Sequence, residues 1–340
     1  MSNTYGYDDV YLKTLDYFGG DQLAATVAVT KYLLKDGDRY LEQSPDDMIR
    51  NRLVPEFHRI ESKYPNPLTK EEIFESLDHF KYIIPQGSPL FGIGNNFQIS
   101  SISNCFVLES PYDSYSGIMK TDEQLAQVMK RRGGVGIALE SLRPKGSKVN
   151  NSARTSDGVK SFISRYSNTT KEVAQGGRRG ALLMGLDCRH PDIEDFIVHK
   201  RDISKRVTGA NLSVKWHDDF LEAVKNDSEY TLRYPVDVPI DQAKFTKVVK
   251  AKYIWDLFVE SSWMTGDPGC IFWDTVTNQS ISDCYSDVGF KSLICNPCGE
   301  VYLNSSSSCL LLLLNLTSFV KSKFSETTSF DFELFETHIR

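Results

Sequence analysis

The sequence predicts an α/β protein in two parts, a helical domain over residues 1–82 and a longer α/β domain over residues 83–340. Three observations carry this: apolar residues at helical spacing in the first part, a turn-rich passage after Ile83, and alternating helix and strand patterns beyond it. In the first part, Leu12, Leu15 and Phe18, then Leu23, Val27, Val29, Tyr32 and Leu33, suit the apolar faces of two amphipathic helices. Asp46 and Asp47 fit a helix start before residues 48–57, and Thr69-Lys-Glu-Glu opens another. In the second part strands are expected at 104–108, 135–140, 181–186, 210–214 and 269–273. Helices are expected at 115–132, 156–173, 193–200 and 253–264. That alternation favours a largely parallel sheet or barrel. Five leucines follow the polar run in SSSSCLLLLL (305–314), which reads as a buried strand after a turn. The last residues, FDFELFETHIR, read as part of an amphipathic helix without a natural C-terminal cap.

Composition narrows the function. With 340 residues, 40% of them hydrophobic, the chain can bury one large core or two ordinary ones. A net charge of -6 gives no overall attraction to nucleic acid or to anionic membranes, so neither is expected as a direct partner. The N-terminus lacks a signal-peptide pattern and no apolar run approaches the ~20 residues that span a bilayer, so a cytoplasmic protein is expected. In that reducing compartment seven cysteines point to thiols, metal ligands or a catalytic dithiol rather than to a disulfide framework.

Three cysteines crowd into SLICNPCGEVYLNSSSSC, residues 292–309. Cys295 and Cys298 form a C-x-x-C, but no second such pair and no suitably spaced histidine pair accompanies it, which argues against a metal site. A thioredoxin-like pair would sit at an early strand-to-helix turn of a small domain, not late in a large one. A third reading uses the neighbours. If residues 293–300 run as a strand or finger-like loop, Asn296, Cys298 and Glu300 share one face, joining an amide anchor, a reactive sulfur and a base.

NPCGE, followed by Cys309 and NLTSFV, resembles the active-site loop of the catalytic subunit of ribonucleotide reductases. PQGSPLFGIG (85–94), SISNCFVLES (101–110), GGVGIALESLRPKGS (133–147), NNSARTSDGVKSF (150–162), NTTKEVAQGGRRGALL (168–183) and HPDIEDFI (190–197) resemble that family in the same order. The resemblance implies the first half of a ten-stranded α/β barrel with a central finger loop. It further implies that Cys298 carries a transient thiyl radical that takes the ribose 3'-hydrogen. Glu300 would take the 3'-hydroxyl proton, Asn296 would hold the sugar hydroxyls, and Cys105 with Cys309 would supply reducing equivalents and end as a disulfide. Ser88, Ser103, Asn104 and Gly136 match the substrate-facing wall. Cys188, Cys270, Cys284 and Cys295 read as structural. The segment before Cys309 departs from the family pattern, which leaves room for a repacked strand and a displaced Cys309.

The resemblance also implies an effector site for a deoxynucleoside triphosphate or ATP. Asp113 and Ser114 match the start of the helix that holds it, Arg143 a contact to its phosphates, and Gln175, Arg178 and Arg179 the loop that relays its identity. The short interval from Cys298 to Cys309 looks most like the adenosylcobalamin-dependent branch, with a class I subunit fed by a metal-containing small subunit as the alternative. Implied partners are a ribonucleoside di- or triphosphate, a second copy across the effector-site helices, and an external dithiol such as thioredoxin or glutaredoxin. A complementing C-terminal chain is expected, since the remaining strands of such a barrel fall beyond Arg340 and the chain reads as the N-terminal part of a split enzyme. Two non-catalytic readings stand beside this: an effector-binding or dimerising module, and the product of a disrupted gene.

Overall fold

The structure, a computed structural model, describes residues 4–173, 180–202 and 207–339. The chain divides into two compact units, Met1–Asn104 with Leu310–Arg340, and Cys105–Cys309. The sequence reading placed a boundary at residue 82 instead. Residues 83–104 go with the helices because a strand at Ile83–Pro85 pairs with the C-terminal segment and helps close that unit.

The first part of the chain contains α1 (Tyr7–Tyr17), α2 (Gln22–Lys31), β1 (Lys35–Asp36), β2 (Arg39–Tyr40), α3 (Pro45–Met48), α4 (Val54–Glu61), α5 (Lys70–Leu77), β3 (Ile83–Pro85) and α6 (Ser88–Gly92). A π-turn at Ile49–Leu53 joins α3 to α4. Thr69 caps α5 in a reciprocal box with Glu72, satisfying backbone donors that the first turn leaves unpaired. Val10, Val29, Leu33, Met48, Ile49 and Leu53 build the core of this unit. Leu12 and Leu23, expected on the apolar faces, are exposed instead. Helical spacing left the face ambiguous, and the packing of α1 on α2 chose Val10 and Val29.

The second unit runs β4 (Cys105–Val107), α7 (Tyr115–Met129), β5 (Gly134–Ala138), α8 (Val159–Glu172), β6 (Leu182–Asp187), α9 (Ile193–Ile197), β7 (Asn211–Trp216), α10 (Asp218–Lys225), β8 (Glu229–Tyr234), β9 (Phe245–Lys250), α11 (Ala251–Thr265), β10 (Gly269–Phe272) and α12 (Trp273–Gln279). It ends with β11 (Ile294–Cys295), β12 (Tyr302–Leu303) and β13 (Ser307–Cys309). Six strands form one sheet in the order β10-β7-β6-β5-β4-β13, parallel throughout except for β13. β5 and β6 are buried at every position, as parallel strands covered on both faces require. Side-chain alternation sorts the two faces. Val135, Ile137, Leu182, Met184 and Leu186 pack into the large core with residues of α7, α8 and α11. Val107, Ala138, Leu183 and Ile271 pack instead with Ile294 and Cys295 of β11. The antiparallel hairpin β8–β9 has no counterpart among the strands expected from the sequence.

After β13 the chain returns to the first unit through β14 (Leu312–Leu314), β15 (Val320–Lys321), β16 (Ser329–Phe330) and α13 (Phe332–Ile339). The expected single buried strand over 305–314 is therefore two short strands in different units. Leu310, Leu312 and Leu313 are exposed. Pairing, with β4 in one case and β3 in the other, decided this where apolar composition could not. Among the described residues no helix is long and apolar enough to cross a membrane.

Candidate active site

Residues 293–303 form a hairpin, with Ile294 opposite Leu303 and Cys295 opposite Tyr302. Of the two forms expected over 293–300, a strand or a finger-like loop, the continuous strand does not form and a hairpin loop does. Pro297 has no N–H to give and Gly299 takes a left-handed φ of 83°, so the chain turns at NPCGEV. Asn296 closes this turn: its Oδ1 accepts from the Val301 amide at 3.2 Å, and its Nδ2 donates to Glu300 Oε1 at 2.6 Å and to Cys105 Sγ at 3.2 Å. Asn296 is fully buried, and Cys298, at the tip of the turn, is exposed.

Two glycines and one lysine seat the hairpin on the sheet. A Cβ at Gly136 would lie 2.0 Å from the Cys295 carbonyl oxygen, so only glycine permits that backbone approach, and one at Gly185 would lie 2.4 Å from Ile294 Cδ1, so the Ile294 side chain would have to shift. Lys215, buried on β7, donates to Glu140 Oε1 at 2.6 Å and to the Leu293 carbonyl, with its ammonium 4.1 Å from the Trp273 ring centre. Sequence reading missed Lys215, since a lysine in an apolar strand carries no motif. Beside it, His217 bridges Asp187 at 2.9 Å and Asp274 at 2.8 Å, a second buried polar node without a sequence signal.

Cys105 and Cys309 stand directly opposite each other across the β4–β13 pair. The ligand atoms of Cys105, Cys309 and Glu300 all lie within 4.8 Å of one another. The departure of SSSSCLLLLL from the family pattern thus has not moved Cys309 away from Cys105. Burial pushes the Cys105 thiol up to about 11; Cys309 and Glu300 add to this, while the Asn296 bond opposes it. Burial also raises the Cys309 thiol. Both sulfurs therefore stay protonated near neutral pH, which suits a store of hydrogen and electrons better than a standing nucleophile.

Asp113 and Arg143 meet: the guanidinium donates to the carboxylate at 2.8 Å, and Arg143 also reaches the Lys148 carbonyl. Tyr234, from the unforeseen hairpin, donates to the same carboxylate at 3.2 Å. Ser114 caps α7 by accepting from the Gly117 amide. Gln175, Arg178 and Arg179 lie outside the described residues. In the first unit Ser88 is buried at the start of α6. Asn104 Nδ2 donates to the Gln86 carbonyl, and the Ser103 amide donates to Ser101. The HPD motif has a structural part: Asp192 accepts from the Lys145 and Val159 amides, tying the loop after β5 to the start of α8.

A helix-flanked parallel sheet that faces two thiols toward an amide and a carboxylate defines an α/β enzyme domain equipped for thiol redox chemistry. The family described as ribonucleotide reductase, barrel domain, matches residues 103–340. The vitamin B12-dependent ribonucleoside-diphosphate reductase of Thermoplasma acidophilum is 34% identical over 251 residues, covering 74% of this chain and 31% of that protein. The protein of the same name from Mycobacterium tuberculosis is 31% identical over 296 residues, covering 86% and 41%. The ribonucleoside-diphosphate reductase large subunit of Danio rerio is 28% identical over 295 residues, covering 78% and 36%. The chain belongs to the ribonucleotide reductase family, and it spans 31% to 41% of the length of these relatives.

Proposed function

We propose that this chain is the part of a ribonucleotide reductase that carries the catalytic cysteines, and that its sheet belongs to a ten-stranded α/β barrel with the 293–303 hairpin as the central finger. Cys298 takes the ribose 3'-hydrogen as a thiyl radical, Glu300 accepts the 3'-hydroxyl proton and Asn296 holds the sugar hydroxyls. Cys105 and Cys309 then give two hydrogens; the 2'-hydroxyl leaves as water and the two sulfurs join as a disulfide. An external dithiol reduces that disulfide. Ser88, Ser103 and Asn104 contribute to substrate binding, the substrate being a ribonucleoside diphosphate by the names of the relatives, while Gly136 backs the hairpin. Asp113, Ser114 and Arg143, with Gln175, Arg178 and Arg179, serve a nucleotide effector, and α7 and α8 meet a second copy.

The observation that carries this reading is the facing of Cys105 and Cys309 beside Asn296 and Glu300. For the radical source, adenosylcobalamin is favoured by the names of the Thermoplasma and Mycobacterium relatives. The exposed position of Cys298 at the tip of the turn fits a radical delivered from outside the chain. Such a group would supply the removal of one hydrogen atom, a proton with an electron, from that thiol.

The test is to oxidise the reduced chain mildly and map its peptides by mass spectrometry. A single disulfide between Cys105 and Cys309 is expected, with Cys105→Ser leaving Cys309 reduced. Pairing of either cysteine with Cys295 or Cys298, or persistence of both as thiols, would overturn the reading.

A further inference from the structure

We propose that the reduced pair Cys105 and Cys309, together with Glu300, forms a binding site for a thiophilic divalent cation of the zinc class. The three donors come from β4, β13 and the turn between β11 and β12, so no local spacing announces them. Their ligand atoms lie within 4.8 Å of one another. Two sulfurs on one tetrahedral zinc ion stand about 3.8 Å apart, since each bond is about 2.3 Å long, so side-chain rotation within this cluster has to draw the donors together to close the site. Two sulfurs and one carboxylate oxygen leave a fourth tetrahedral position for water or an outside donor. Asn296 orients two of the three ligands from behind, through its bonds to Cys105 and Glu300.

Binding exchanges one cation for two thiol protons and moves no electrons, so affinity rises with pH. A bound ion occupies the sulfurs that a disulfide would need. Cation binding and oxidation therefore exclude each other: the ion protects the dithiol and also halts its use. The site follows from the geometry alone, and only this regulatory consequence rests on the reductase reading.

The experiment titrates the fully reduced chain with Cd2+ under nitrogen, following thiolate-to-cadmium absorbance, and then displaces the ion with Zn2+. The expected result is a tight site lost in Cys105→Ser and in Cys309→Ser, weakened about tenfold in Glu300→Gln, and missing from the chain once the disulfide has formed. As a check that needs no variant, Cd2+ should shield Cys105 and Cys309 of the unaltered chain from N-ethylmaleimide. Tight binding that survives Cys105→Ser, or that maps to Cys295 and Cys298, overturns the proposal. A disulfide that forms while no cadmium binds at the pair sinks the cation site alone; cadmium bound at the pair with no disulfide forming sinks the reductase reading alone.

Discussion

Asn296 spends every polar atom of its side chain inside the site, joining Val301, Glu300 and Cys105. Its bond to Cys105 favours the thiolate and so holds down a thiol that burial has pushed up to about 11. Removing it is expected to raise that value further. In Asn296→Ala the pH midpoint for methylthiolation of Cys105 should move upward. At a fixed pH the rate should drop on the order of fivefold, the equivalent of a hydrogen bond of about 1 kcal/mol. A midpoint that stays put would show that the contact does not act on the sulfur's acidity.

At the scale of elements, the hairpin is held by buried charge as well as by shape. Lys215 and Glu140 are both largely withdrawn from water, so deleting the lysine strands a carboxylate. Lys215→Met is expected to cost about 3 to 5 kcal/mol in urea unfolding, with part of the loss recovered when Glu140→Gln is added. His217 gives the same face a pH dependence. Burial opposes its charge, but the bonds to Asp187 and Asp274 outweigh burial and raise its pKa above the ordinary 6.5. A raised value means that the contribution is complete below about 6.5 and is lost as pH climbs through the folded value. Asp187 and Asp274 are held below 3.8, so their contribution is lost only as pH falls through those depressed values. Unfolding stability should therefore decline as pH rises above about 6.5, and His217→Gln should flatten that decline in a pH series of urea melts.

For the whole molecule, the first unit is discontinuous in sequence and depends on its C-terminal segment. β14 pairs with β3, and the Asn315 amide donates to the Tyr82 carbonyl. Phe319 is fully buried among Tyr82, Phe330, Phe335 and His338. Phe319→Ala should cost about 3 to 5 kcal/mol and speed hydrogen exchange at Ile83 and Ile84. Unchanged exchange there would show that the β3–β14 pairing stands without the aromatic cluster.

The sequence by itself determined the alternation of β4 to β7 with α7 to α9 in the second unit, because each is short, apolar in a telling rhythm and bounded by turn residues, while the β8–β9 hairpin escaped it. Through motifs it also marked Cys105, Asn296, Cys298, Glu300 and Cys309 as residues to watch. It did not show that Asn296 would bind Cys105 across 191 positions, or that Cys105 and Cys309 would share a register. It gave no sign of Lys215 and His217, whose partners come from distant strands and helices. It also misjudged the leucine run, whose two halves follow different partner strands. Local pattern reports what a segment can bury or bend. Which segments meet, and therefore which polar groups are paired, is settled only when the strands close their hydrogen bonds in the folded chain.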